Sequence, residues 1–328
     1  MKGFLLLLSQ IILFLTVWLL WPRELDNYTL GAEGRTSVQD YAMKNARYVS
    51  VNQGRLEVEA FAVDATFDLK RKILLGANTK FYVFNEAQEK TTVWSDKTEY
   101  FMEPRKAHFI GNVRSESPDG FRLRSAEGNY SVAERFLTVP NPLEGESKDD
   151  TLKVWGDRGE SHIDDKKIHL YGNARANYVD KKEGLTKVRG DRAVVDREKE
   201  KVDFYAHVQV DQAKVIGTSN HGEMFYDKQE KNLHYMALMD DVKIQDETGR
   251  YSRSQMAEFF SPTDTIVLSG FPSVYDKDDV VTGDKITLFR TTGVVEVTAA
   301  NAAGSAKPTD QKPKSQVRHT DEDDELVP

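Results

Sequence analysis

A repeat of about thirty residues restricts this chain more than any other feature, and a fixed period of that size signals a stacked array. The stretch TEYFMEPRKAHFIGNV, Thr98 to Val113, sets the pattern: an apolar pair, a charged turn, then a strand closing on Gly111, Asn112 and Val113. Two short period-2 runs joined by a polar turn read as a β-hairpin. GESHIDDKKIHLYGNA, DRAVVDREKEKVDFYAHV and AEFFSPTDTIVLSG repeat it, and AEGNYSVAERFLTVPN is its most degraded copy. Marking the position of Gly111 in each unit gives Ala77, Gly111, Pro140, Gly172, Ala206, Asp240 and Gly270. After Trp21 no amphipathic helical run of useful length interrupts the pattern. The array is therefore all-β, with neighbouring units sharing one core.

Strand parity against that mark separates two faces. Two and four residues before it stand Ile73 and Leu75, Ala107 and Phe109, Ile168 and Leu170. The same offsets give Val202 and Phe204, Met236 and Leu238, Ile266 and Leu268. The apolar face continues at Phe81, Val113, Val208 and Val242. Intervening positions, among them His108, His169 and Asp203, are mixed and face water. A stack of such units forms an elongated two-walled sheet or jellyroll with an apolar interior. That interior is either a dry packed core, as in a structural scaffold or adhesin stalk, or a groove that holds acyl chains. Each buried methylene is worth about 0.8 kcal/mol. Ala107, Gly111, Gly172, Ala174 and Ala206 lean toward a groove because they are small.

The ends differ from the middle. Gly3 to Trp21 is uncharged and rich in Leu, Ile and Phe, long enough to span a bilayer as one transmembrane helix. Trp18, Trp21 and Pro22 at its end do not suit signal cleavage, and the tryptophans fit an interfacial belt. The organisation expected is an anchor over 1–23, a tether over 24–40, and a β-jellyroll over 41–200. The jellyroll continues over 201–298, and 299–328 form a disordered tail with an acidic run from Asp321 to Glu325. A net charge of −8 argues against a nucleic-acid partner. No cysteine is present, the seven histidines lack metal or catalytic spacing, and no nucleotide or nucleophile motif occurs. The sequence predicts neither an enzyme nor a cofactor or metal site.

An N-terminal anchor, a short tether and strand pairs ending in Gly-Asn-Val together resemble the lipopolysaccharide-export component LptC. YVSVNQGRLEVEAFAVDATFD, Tyr48 to Asp68, looks like the start of that family's periplasmic domain. DKKIHLYGNARANY, Asp165 to Tyr178, looks like the related LptA or OstA-type repeats. The resemblance covers most of Gly3 to Val297 and implies an open β-jellyroll, a folded β-taco, in the periplasm. It implies that lipopolysaccharide arrives from an inner-membrane ABC transporter at the N-terminal edge, Tyr41 to Val51. The lipid would leave for an LptA-like bridge at the C-terminal edge, Lys285 to Val297. The fifteen inward residues Ile73, Leu75, Phe81, Phe109, Val113, Ile168, Leu170, Val202, Phe204, Val208, Met236, Leu238, Val242, Ile266 and Leu268 are the expected lipid contacts, chosen by parity. The array is longer than a single LptC-like domain.

Overall fold

The computed structural model describes residues 41–298 except 181–183, 213–214, 228–231 and 278. Among the described residues every regular element is a β-strand. Six long strands come first: β1 (Tyr41–Asn52), β2 (Arg55–Asp68), β3 (Ile73–Phe84), β4 (Lys90–Phe101), β5 (Lys106–Glu116) and β6 (Arg122–Ser131). Four short ones follow, β7 (Phe136–Val139), β8 (Leu143–Glu146), β9 (Leu152–Gly156) and β10 (Arg158–His162). Long strands resume with β11 (Lys167–Asp180), β12 (Gly184–Asp196), β13 (Lys201–Gln212), β14 (Val215–Asp227), β15 (Asn232–Asp246) and β16 (Tyr251–Phe260). The array closes with β17 (Thr265–Ser269), β18 (Ser273–Asp276), β19 (Asp279–Thr282), β20 (Lys285–Phe289) and β21 (Val295–Thr298).

All pairings are antiparallel and make one elongated meander. The short strands are halves of broken long ones. β7 and β8 both pair with β6, and β10 and β9 both pair with β11. Pro140 and Pro142 separate β7 from β8, since neither supplies the N–H that a continuous ladder needs. β17 and β18 are likewise divided around Pro272.

The Gly-Asn mark is not the end of a strand but a kink in the middle of one. β5 runs through Gly111–Asn112, β11 through Gly172–Asn173, β13 through Ala206–His207 and β15 through Asp240–Asp241. Each pair lies in the left-handed region, at φ 76° and 45° for Gly111 and Asn112, and 60° and 48° for Ala206 and His207. Two residues there oppose one on the neighbouring strand, a β-bulge that bends the strand. A polar side chain from the preceding stretch of the sheet answers each of the first three. Asn112 Nδ2 donates to Asp96 at 2.7 Å, Asn173 Nδ2 donates to Asp157 at 2.7 Å, and His207 Nδ1 lies 2.8 Å from Asp191. Glycine fits this conformation because it has no Cβ to clash. Ala206→Gly should therefore stabilise the protein by about 0.5–1 kcal/mol, read as a raised urea midpoint. Unchanged or lower stability would mean that Ala206 is not strained.

The bend folds the sheet over itself. A twelve-residue strand is about 40 Å long, yet turns at opposite ends of the strands touch. Arg135, in the β6–β7 turn, pairs with Glu86, in the β3–β4 turn, at 2.8 Å. Arg197, in the β12–β13 turn, pairs with Asp119, in the β5–β6 turn, at 2.7 Å. Only a sheet folded along its kinks brings these ends together. The two walls enclose two successive apolar clusters. One is built around Val58, Phe81, Tyr100 and Phe109, and the other runs from Phe121 to Ile286, with Leu137 packed against both.

Candidate functional site

Thirteen of the fifteen residues chosen by parity are buried in these clusters, from Phe81 and Phe109 through to Ile266 and Leu268. Leu75 is a correction: it is 40% exposed, and Ile73 is half-buried, while Leu74 packs against the core. β3 carries a single left-handed residue, Asn78 (φ 51°), where later strands carry two. Counting from Ala77 instead of Asn78 shifts the parity by one, and a one-residue shift exchanges the faces.

The middle of the interior is filled. Small residues on one wall meet large ones from the other. A methyl group at Gly217 would lie 2.7 Å from Leu238 Cδ1, one at Gly222 3.0 Å from Val208 Cγ1, and one at Gly145 2.8 Å from Phe121 Cζ. Gly217 pairs with Ile244, not with Leu238, so that contact crosses between walls. Small inward residues here match bulky partners, the close packing of an ordinary core, and a cavity of about 190 Å³ beside Leu123, Leu137, Ile163 and Ile168 lies where the strand ends meet.

The N-terminal end differs. There β1 to β4 surround an apolar cavity of about 290 Å³ that opens to the surface. Met43, Ala60, Ala62, Phe67, Leu74 and Met102 line it, with Phe81 and Tyr100 behind. Four of the lining residues, Ala46, Ala60, Ala62 and Ala65, are alanines, whose small side chains leave the space open. Its polar residues are satisfied among themselves: Thr79 Oγ1 lies 2.6 Å from Thr98 Oγ1 and 2.7 Å from Ser95 Oγ. Tyr48, Tyr100, Phe81 and Phe109 lead inward, with successive ring centroids 5.0, 6.2 and 5.2 Å apart. Burial, and then the hydrogen bond with Tyr48, pushes the Tyr100 phenol well above its ordinary range. Most of these lining residues were missed from sequence because β1 and β2 precede the first marked unit. The alanines Ala60, Ala62 and Ala65 on β2 were the available signal.

Ion pairs latch the long edge where the strand ends meet. Arg105 pairs with Glu57, and Asp164 takes Arg135 Nη1 at 3.0 Å and the Glu86 N–H at 2.9 Å. Burial raises the Asp164 pKa, but the Glu86 N–H and Arg135 outweigh it and hold the carboxyl below its usual range. A depressed pKa stabilises the fold above the unfolded value of about 3.9 and ceases to do so as pH falls through the folded one. The stability gap between the parent and Asp164→Asn should therefore be full at neutral pH and close below about pH 4. A gap independent of pH would contradict the latch.

The fold and site define an elongated antiparallel β array, folded along a line of bulges, with an apolar cavity at its N-terminal end. Residues 9–138 match the family model described as "Lipopolysaccharide-assembly, LptC-related". Residues 187–294 match the model described as "LptA/(LptD N-terminal domain) LPS transport protein". The chain thus joins an LptC-related segment to an LptA-like segment. No curated protein matches it. Among solved structures it is similar to LptH, the LptA homologous periplasmic component of the conserved lipopolysaccharide transport device from Pseudomonas aeruginosa. The identity is 17% over 38% of this chain and 89% of that one, with a TM-score of 0.33.

Proposed function

We propose that this protein is a non-catalytic carrier of lipopolysaccharide, held in the inner membrane by Gly3–Trp21 with its sheet in the periplasm. The anchor segment lies outside the described residues, and among those described no helix is long and apolar enough to cross a membrane. The two family matches support the substrate class and the periplasmic setting. The observation that carries the reading is the apolar cavity at the N-terminal end, whose lining suits acyl chains. Lipid received from an ABC transporter would enter beside β1, which pairs only with β2 among the described residues and so offers a free edge. It would advance past Phe109, Phe204 and Leu268 as the latched edge parts. It would then pass to an LptA-like bridge at β21, which pairs only with β20 among those residues. Strand addition at both edges is the matching contact mode.

The filled middle favours a second reading, a scaffold with a dry core. Photo-crosslinking residues at Phe204 and Leu268, with His108 as the outward control, separate the two in cells. Lipopolysaccharide adducts at both interior sites and none at His108 support passage. A folded protein without interior adducts would leave the scaffold standing.

A further inference from the structure

One line of residues crosses the outer face of the sheet, just beyond the bulges, and its charge is at odds with the acidic chain. Arg114 stands directly opposite Arg124, Arg175 opposite Arg189, and Lys243 opposite Arg253. The rungs connect: Arg124 pairs with Glu144, Glu144 with Trp155 and Trp155 with Arg175. From Arg189 the line passes through Gln209 and Thr218 to Lys243. Trp94 stands opposite Arg114, and Lys80 lies 5.8 Å from the Trp94 ring centroid. That end of the line lies on the strands that form the apolar cavity.

These side chains point outward. Arg114, Arg175, Arg189 and Arg253 are exposed, and each sits between two buried neighbours on its strand. Like charges directly opposite on adjacent strands destabilise a sheet, and here three such pairs share one line. Compensation is partial. Arg124 lies 4.0 Å from Glu146, and Lys243 lies 2.8 Å from Asp241. Arg114 and Arg175 form no ion pair among the described residues.

The surface along the line is concave. A trough of about 640 Å³ is lined by Lys80, Trp94, Arg114 and Arg124, and another of about 700 Å³ by Arg175, Arg189 and Lys243. Carboxylates also reach these troughs: Glu116 lines the first, three others have partners of their own, and one of those partners is Lys243 itself. Asp96 accepts from Asn112, Asp191 meets His207 and Asp241 pairs with Lys243. Arginine predominates over lysine, which favours planar, bidentate recognition of phosphate or carboxylate. A flat membrane surface would not seat in concave troughs, whereas a sugar chain would.

We propose that this outer line binds the phosphorylated saccharide of the lipid whose acyl chains enter the cavity. The assignment rests on the carrier reading for its ligand class, but not for the site. The probe is lipopolysaccharide stripped of its acyl chains, fluorescently labelled and titrated into the full chain in detergent micelles. Arg114→Gln, Arg175→Gln, Arg189→Gln and Lys243→Gln combined should weaken binding at least about tenfold. Lys70→Gln with Arg71→Gln, two exposed cations off the line, should not. Affinity should fall steeply with added salt, and the dephosphorylated saccharide should not bind. The fourfold variant should keep or raise its thermal midpoint, since it removes opposed like charges. Equal binding by parent and variant overturns the proposal, as does equal binding of the dephosphorylated probe. Preference for phosphatidylglycerol vesicles that depends on the same residues also overturns it, making the line a membrane contact. Lipid adducts inside the cavity without saccharide binding defeat this inference alone. Saccharide binding without such adducts defeats the carrier reading alone.

Discussion

Phe109→Ala should lower the unfolding free energy by about 3–5 kcal/mol, the largest loss expected from one truncation in the N-terminal half. Phe109 is fully buried and meets Phe81 edge-to-face at 5.2 Å, where the aromatic series from the cavity enters the filled interior. Gly128 lies beneath its ring and has no side chain with which to fill the hole. The lost area and the new void both count against the variant. Urea denaturation reads the change as a lower midpoint with an unchanged slope. A loss under about 1 kcal/mol would mean that this part of the interior is loosely packed, and that the division between open end and filled middle is misplaced.

Ala62→Trp should reduce lipopolysaccharide binding by roughly fiftyfold while the protein remains folded. Ala62 lines the cavity beside Leu74 and Gly76, and a cavity of about 290 Å³ leaves little room once it holds an indole. Excluding about three methylenes forfeits about 2.4 kcal/mol at 0.8 kcal/mol each, which gives that factor. Ala62→Leu should fall between the parent and the tryptophan variant, so that the size of the plug is tested as well as its presence. Binding unchanged in both variants, with normal thermal midpoints, would exclude the cavity as the acyl site.

The strand order and most of the inward face could be read from sequence because both follow from short-range rules. Side-chain alternation assigns Ile168, Leu170, Val202 and Phe204 correctly to the buried face. The Gly-Asn mark was recognisable as a repeat, but its meaning was not. Periodicity records where a pattern recurs, whereas the left-handed pair at Gly172 and Asn173 is a matter of backbone conformation. The error at Leu75 has the same origin, since one such residue in place of two leaves the composition of the unit almost unchanged.

Contacts between walls were harder to foresee. Arg197 meets Asp119 across 78 positions of sequence, and Glu86 meets Asp164 across the same interval. Nothing local announces either pairing. In the middle of the sheet small inward residues face large ones: Leu170 packs against Gly156. At the N-terminal end Ala46 and Ala62 stand side by side on adjacent strands, and an apolar cavity remains beside them. The broken strands around Pro140 match the most degraded repeat unit. The apolar clusters divide near them, close to the end of the LptC-related segment at residue 138.

The most direct test compares two adjacent residues. Leu74 lines the cavity and Leu75 faces outward, so a photo-crosslinking side chain at either position samples opposite sides of the same strand. The measurement is crosslinking of lipopolysaccharide to the purified full chain at each position, with binding saturated and folding checked by thermal midpoint. Strong adducts through the acyl chains are expected at position 74 and background at position 75. Equal adducts at both positions, or adducts only at 75, would contradict that expectation.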